Sequence, residues 1–277
     1  FHGSQLFLYR PNQWNARPSL AVSKPDLTWW DTATTFGGPI RKDRLFFFTQ
    51  YEHNPYDRPN VVSISSANAD ALKLPSNQRD FAPFGEIYDT FVGKVNYRLN
   101  DKNSGYVRYA RFTNIQPNNA SGLTIPDRGN DFHDYMNGGG AQLATVLSPT
   151  VLNELRYGVI QRTQSNQPVG KPNPYTAAVN ISGVANIGYN PLQGTETTEL
   201  ANQIVDNITW TRNRSTLKAG IDWQRTNFDI FRARAATFTF GGLAASNGRP
   251  AVSALNQYLF TLAGNVDTAT SKPYTYT

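Results

Sequence analysis

The sequence predicts an all-β fold, an antiparallel transmembrane β-barrel present as an incomplete arc of about nine strands. Three observations predict it. The first is composition. The 277 residues include 5 Trp, 14 Tyr and 16 Phe alongside 21 Gly and 17 Pro. Aromatic side chains favour the pleated surface of strands, and Gly and Pro favour turns. The second is alternation. In 90–99, Phe91, Gly93, Val95, Tyr97 and Leu99 fall on one face, and Thr90, Lys94, Asn96 and Arg98 on the other, with Val92 the exception. The third is the connections. Short turns near 40–44, 100–103, 148–150 and 213–214 alternate with excursions of roughly 20 to 40 residues, which a compact soluble domain seldom carries. An outer-membrane barrel combines short periplasmic turns with long extracellular loops.

The strands follow in order. Residues 1–9 make a first strand and 10–31 a loop rich in Pro, Asn and Trp. Residues 32–36 lead down to Gly37-Gly38-Pro39, the charged run 41–44 turns the chain, and 45–52 climbs away as an aromatic strand. After a polar excursion over 53–88, the strand 90–99 turns at 100–103 and returns over 104–113. The facing of 104–113 stays open, because Tyr106 and Phe112 oppose Val107 and Tyr109. Residues 137–147 read as a strand opened by Gly138-Gly139-Gly140. In 151–162, Leu155, Tyr157 and Val159 oppose Glu154, Arg156 and Arg162. The long loop 163–202 contains Pro168, Pro172, Pro174 and Pro191. Ile204, Ile208 and Trp210 share a face in 204–212. The cleanest strand is 215–228, with Leu217, Ala219, Ile221 and Trp223 against Thr216, Lys218, Asp222, Gln224 and Thr226. A last loop fills 229–277, with a short amphipathic helix over 253–262.

The apolar faces suit lipid and the polar faces a wet lumen, over the roughly 9 to 11 residues that a tilted spanning strand needs. Lumen-facing candidates are Lys94, Asn96, Arg98, Glu154, Arg156, Lys218, Asp222 and Gln224. Their ordinary role is to solvate the lumen or to pair with whatever fills it. Phe46, Phe47, Phe48, Tyr51, Tyr97, Tyr157, Trp210 and Trp223 are candidates for interfacial girdles. The loop aromatics Trp14, Trp29, Trp30, Tyr56 and Tyr175 could stack on a sugar or siderophore, or simply pack the loops together.

Other classes fare worse. With no Cys, disulfide scaffolds, thiolate metal sites and Cys nucleophiles are excluded. His2, His53 and His133 have no metal-ligand spacing. The net charge of +6 is scattered, so no nucleic-acid partner is expected. No G-x-S-x-G, H-E-x-x-H, P-loop or Rossmann pattern occurs, so the chain is read as no enzyme and is expected to need no cofactor. No apolar run approaches the roughly 18 residues of a spanning helix. A secreted or surface adhesin or binding module is the alternative. Its sequons at Asn119, Asn180, Asn207 and Asn213 arise by chance in a chain rich in Asn.

The most specific run is Phe36-Gly37-Gly38-Pro39-Ile40-Arg41-Lys42-Asp43-Arg44-Leu45-Phe46-Phe47-Phe48 with Tyr51-Glu52. It resembles the GGPI-x-KD-x-x-FFF-x-x-YE signature of TonB-dependent outer-membrane receptors of the Oar-like branch, which carry a carboxypeptidase-regulatory-like N-terminal domain. Weaker likenesses follow in the same order. They are Phe1-His2-Gly3-Ser4 with Asn15-Ala16-Arg17, Val92 to Tyr97 with Asn100-Asp101-Lys102, Leu147 to Arg156 with Gly158, and Ile208 to Thr211 with Ser215 to Gly220. Arg214-Ser215 stands where the branch usually has Gly-x-His. The resemblance implies a cell outer membrane location and import of a scarce, bulky solute such as a siderophore, glycan or peptide. It also implies three partners: outer-membrane lipid, the receptor's own plug domain and the TonB energy-coupling complex. Residues 1–277 are then expected to be the N-terminal part of a barrel domain, with plug and closing strands outside them.

Overall fold

The computed structural model describes residues 1–21, 23–169 and 177–277. Nine strands form one continuous antiparallel meander, each bonded to its neighbour in sequence. They are β1 His2–Arg10, β2 Thr28–Arg41, β3 Leu45–Asp57, β4 Gly85–Arg98, β5 Asn103–Gln116, β6 Asn130–Ser148, β7 Val151–Pro168, β8 Leu192–Arg212 and β9 Ser215–Arg234. The sheet is open, with β1 and β9 at its edges.

The short turns fall where the sequence places them. Asp43 and Asn213 take positive φ, 61° and 55°, a conformation that short polar side chains tolerate. At the β4–β5 turn, Asn100 Oδ1 accepts the backbone N–H of Lys102 and of Asn103, both at 2.9 Å. This Asx arrangement reverses the chain without glycine.

Register divides the side chains between two faces, because alternate residues of a strand point oppositely. Phe47, Val95, Val107, Ala141, Tyr157, Ile204 and Trp223 pair in sequence across seven strands and form an apolar row. Asn96, Tyr106, Gln142, Arg156, Val205 and Asp222 form the neighbouring row on the opposite face. Among the described residues nothing covers the apolar face: Ile221 is 74% exposed and Val107 54%. Val95 and Tyr97 share this face, so the wall is not half of a sandwich.

The strands run past the predicted lengths. β6 has 19 residues, β7 18, β8 21 and β9 20. Their outer ends stand above the apolar region, where water can meet either face, and alternation stops there. For the same reason β2 begins at Thr28 rather than at Thr32, and β3 continues past Glu52 to Asp57. Gly138-Gly139-Gly140 lies in the middle of β6 and does not open it.

The buried core lies in the long connections. Val62, Ala82 and Ala120 form one cluster, and Ala69, Leu74 and Ile125 another. Helix α1, Ser66–Ala71, is capped by Ser65, whose Oγ accepts the Asn68 N–H. Single bridges join Val62 to Gly122 and Thr124 to Asn186, tying three loops together. A small sheet sets 178–181 between 185–188 and 237–240. Arg128, 7% exposed, donates to the carbonyls of Val179 at 2.8 Å and Ile187 at 3.2 Å. Burial lowers its pKa from the usual arginine value. Asn190 Nδ2 donates to the carbonyls of Arg128 and Gly129, both at 3.0 Å. The predicted helix in the last excursion is α2, Ala254–Leu262, capped by Ser253. Beside it, Arg249 and Asp267 form an ion pair at 3.1 Å, each 8% exposed. The expectation of plain polar loops is therefore corrected. Small apolar residues, spaced too irregularly to read as periodic, close these loops over one another. Pro172, Pro174 and Tyr175 lie outside the described residues.

Candidate functional site on the polar face

Lys94, Asn96, Arg98, Glu154, Arg156, Lys218, Asp222 and Gln224 all fall on the polar face of the sheet, by strand register. Hairpin pairing explains this. Each short turn fixes register, and register fixes facing. The residues do not make one cluster. Arg98 lies low, bonded to Asp101 of the turn at 2.9 Å. Lys94 stands over the Tyr106 ring, 4.4 Å from its centroid. Arg156 lies 3.7 Å from Glu154, which also accepts from Gln142 Nε2 at 3.2 Å. Asp222 accepts from Gln203 Nε2 at 2.8 Å. Such exposed pairs contribute about 0 to 1 kcal/mol each, so they are poor explanations for the stability of the wall. They make a wet surface bearing both signs of charge.

Arg156 and Asp222 do meet at a concavity of about 510 Å³, where they are joined by Tyr106, Arg108, Ile160 and Gln203. Its floor is glycine. Gly140 pairs directly with Gly158, and Gly138 sits two residues along. The missing side chains form the hollow, and the flanking Arg side chains of β5 and β7 rise around it. A Cβ on Gly158 would meet nothing closer than Gly139 O at 4.0 Å, so this floor is open space, not a close backbone crossing.

Further out on the same face, Arg162 makes a two-pronged bond to Asp134, Nε to Oδ1 at 2.9 Å and Nη2 to Oδ2 at 2.5 Å. Gln164 Nε2 adds a third bond to Asp134 at 3.1 Å. The Asp134 side chain is 5% exposed. Asp134 thus receives three side-chain hydrogen bonds. A planar guanidinium matched to a carboxylate is geometrically demanding, which makes it a brace rather than a free binding group.

Sequence reasoning missed Tyr106, Arg108, Asp134, Gln164 and the glycine floor. Tyr106 and Arg108 were legible, since the turn at 100–103 sets Lys94 opposite Arg108 and leaves one facing for all of β5. The Gly140–Gly158 pairing required the β6–β7 register, which shifts between Val146 and Ser148 and cannot be counted from the turn.

Trp29, Trp30 and Tyr56 are strand residues, not loop residues, a further correction. Trp29 pairs with Tyr56 on the polar face, where Trp29 Nε1 donates to Asn54 Oδ1 at 2.9 Å. Trp30 lies on the apolar face, its ring centroid 4.9 Å from that of His53. Trp14 stays in the first loop, 72% exposed.

One face apolar and bare, the other polar and hollowed, is the pattern of a wall between lipid and water. A family model described as an outer membrane beta barrel domain matches residues 1–74 and 59–277. The chain belongs to this outer-membrane β-barrel family. Among solved structures, it is similar to the outer membrane transporter YddB from Escherichia coli, with a TM-score of 0.54 and 9% identity. That likeness covers 78% of this chain and 28% of the transporter, so the chain spans less than a third of its length. At this identity the likeness is one of fold. A search of curated proteins returns no match.

Membership of the outer-membrane β-barrel family assigns the apolar face to lipid. On that face three tyrosine hydroxyls donate to polar side chains on the adjoining strand. Tyr51 donates to Asp89 at 3.0 Å, Tyr109 to Asn137 at 2.7 Å, and Tyr157 to Asn202 at 2.8 Å. Apolar residues lie on the short-turn side of this line, and His53, Arg111 and Gln161 lie level with it or beyond. The line marks the outer interface, where an aromatic ring meets lipid and its hydroxyl meets polar groups. Phe47, Tyr51, Tyr97, Tyr157, Trp210 and Trp223 share the lipid face. Phe46 and Phe48 do not. They point to the polar face, because three consecutive Phe cannot all face lipid in a pleated strand.

Proposed function

We propose that the chain forms the wall and extracellular loops of a TonB-dependent importer for a scarce, bulky solute such as a siderophore, glycan or peptide. The observation that carries this reading is the hollowed polar face, with charges of both signs around a glycine floor and Trp29 and Tyr56 on the same face nearer the long loops. A simple structural wall has no need of such relief. The GGPI-x-KD-x-x-FFF signature around Phe36 to Phe48 supports the Oar-like branch. The likeness of fold to a transporter is compatible with it. On this reading, residues 1–277 are the N-terminal part of the barrel domain. A plug from the same protein rests against the polar face, and the energy-coupling complex pulls on that plug. The wall itself carries no chemical step.

Uptake in the native host tests the proposal. Candidate solutes are supplied to cells with and without the gene, and to cells treated with a protonophore. Uptake that needs both the gene and the proton gradient is expected. Uptake that needs the gene but survives the protonophore identifies a passive channel and rejects TonB coupling. The second reading, an adhesin without transport, is favoured by the packed loop core of Val62, Ala82 and Ala120. It requires surface binding that continues with no uptake of any solute.

A further inference from the structure

We propose that the lipid face carries a binding site for the phosphate of an outer-leaflet lipid, centred on Arg111. A concavity of about 450 Å³ opens on this face at β3, β4 and β5, lined by Tyr51, Asp89, Phe91, Tyr109, Arg111 and Thr113. Phe91 and Tyr109 form its apolar side, their ring centroids 6.2 Å apart. Arg111 pairs with Phe91 across the strands, one pleat further out than Tyr109. The groove therefore starts in the apolar region and ends at a cation, level with the line of tyrosine hydroxyls.

The charges facing the groove leave one unsatisfied. Asp89 is already engaged, by the Tyr51 hydroxyl at 3.0 Å and by His53 Nδ1 at 2.6 Å. Among the described residues, Arg111 has no hydrogen-bond or ion-pair partner. A guanidinium at the edge of lipid is tolerated because it reaches the headgroup level, where the anions it can pair with are lipid phosphates. Its planar fork fits phosphate oxygens two at a time, and its own stem covers apolar surface below. A lipid supplies both parts at the matching depths, acyl chain along Phe91 and Tyr109 and phosphate at Arg111. A free anion would use only the outer half. The site rests on membership of the outer-membrane family, not on the transport reading.

The test uses the protein purified from outer membranes in mild detergent, with lipid A as probe and native mass spectrometry as readout. Wild type is expected to retain bound lipid A. R111Q is expected to lower retention about tenfold, with R111K intermediate, since Lys offers a point charge in place of a fork. K102Q, which removes a charge from the β4–β5 turn, should retain as wild type does. Lipid A stripped of phosphate is expected to bind wild type about tenfold more weakly. That arm stands even if R111Q fails to assemble. Equal retention by R111Q, equal binding of the stripped lipid, or displacement by inorganic phosphate alone would each overturn the site.

Discussion

Tyr97 lies against Gly105, its directly paired partner on β5, and its hydroxyl donates to Gln142 O on β6 at 3.1 Å. One side chain thus spans three strands on the lipid face. The arrangement works because Gly105 leaves the space. A Cβ there would collide with Gln142 O and press on the tyrosine oxygen. Covering a strand glycine with an aromatic ring also restores the packing that the glycine gives up. Gly105→Ala is therefore expected to block assembly. The measurement is heat-modifiable mobility of the protein in outer-membrane extracts. A normally migrating G105A would show that the three strands do not approach as described.

The hydroxyl line predicts graded losses. Tyr109→Phe removes one hydrogen bond and leaves the ring, costing about 0.5 to 1.5 kcal/mol. Asn137→Ala should cost a similar amount, and the double variant should cost less than the sum, because one bond is lost twice. Reversible urea unfolding in lipid vesicles reads this out. Additive losses would mean that Tyr109 and Asn137 act separately.

Asp206 is a charged residue of the lipid face on the short-turn side of the hydroxyl line, unlike Asp89 and Arg111. It pairs with Leu155 and Ile221, and its carboxylate accepts from Asn153 Nδ2 at 2.6 Å. A carboxylate facing lipid is destabilising, by less than the roughly 2 to 4 kcal/mol of a midplane Arg or Lys. Asp206→Asn is expected to raise stability by about 1 kcal/mol. Destabilisation instead would mean that a polar partner covers this position in the assembled barrel.

Filling the glycine floor separates wall from site. Gly158→Leu has room for its side chain over the hollow, with no backbone atom nearer than Gly139 O. The expected result is normal assembly with solute uptake reduced at least severalfold, as a side chain of about four carbons occupies the space between Arg108 and Arg156. Unchanged uptake would remove this hollow from the transport path.

The loop layer is predicted to fail independently of the wall. Arg128→Ala deletes two bonds to carbonyls, those of Val179 and Ile187, and leaves the Asn190 bond to the Arg128 backbone in place. Hydrogen bonds from a charged group contribute about 1.5 to 3 kcal/mol each, enough to loosen a layer with so small a core. Protease should then cut within 58–84 or 117–129 while heat-modifiable migration persists. Burial lowers the Arg128 pKa, yet a guanidinium stays protonated at every working pH, so it adds no pH dependence to the layer.

What was legible in the sequence follows from which residues had to alternate. Across the bilayer each strand must turn apolar residues to lipid, so Leu217 to Trp223 and Phe91 to Leu99 declare their faces. Short turns carry that facing to the next strand, and the polar candidates from Lys94 to Gln224 all fall on one side. Above the membrane no such rule operates. Trp29, Tyr56 and the outer half of β8 look like loop because both of their faces meet water or other loops. The glycine floor was invisible for another reason. A hollow is made by neighbours across strands, and Gly140 and Gly158 become neighbours only through a register interrupted beside Ser148.

The placement of the core has a consequence for how the protein reaches its final state. The apolar residues that bury one another, Val62, Ala69, Ala82, Ala120 and Ile125, belong to segments on the far side of the membrane from the short turns. A folded layer of that width cannot pass through lipid. The segments must cross as open chain and condense afterwards, held in reach of each other by strands already in place. Withdrawal would then require unpacking Val62 from Ala120 and Arg128 from Val179 before any strand could move. The outer layer works as a latch, set once the wall has been threaded.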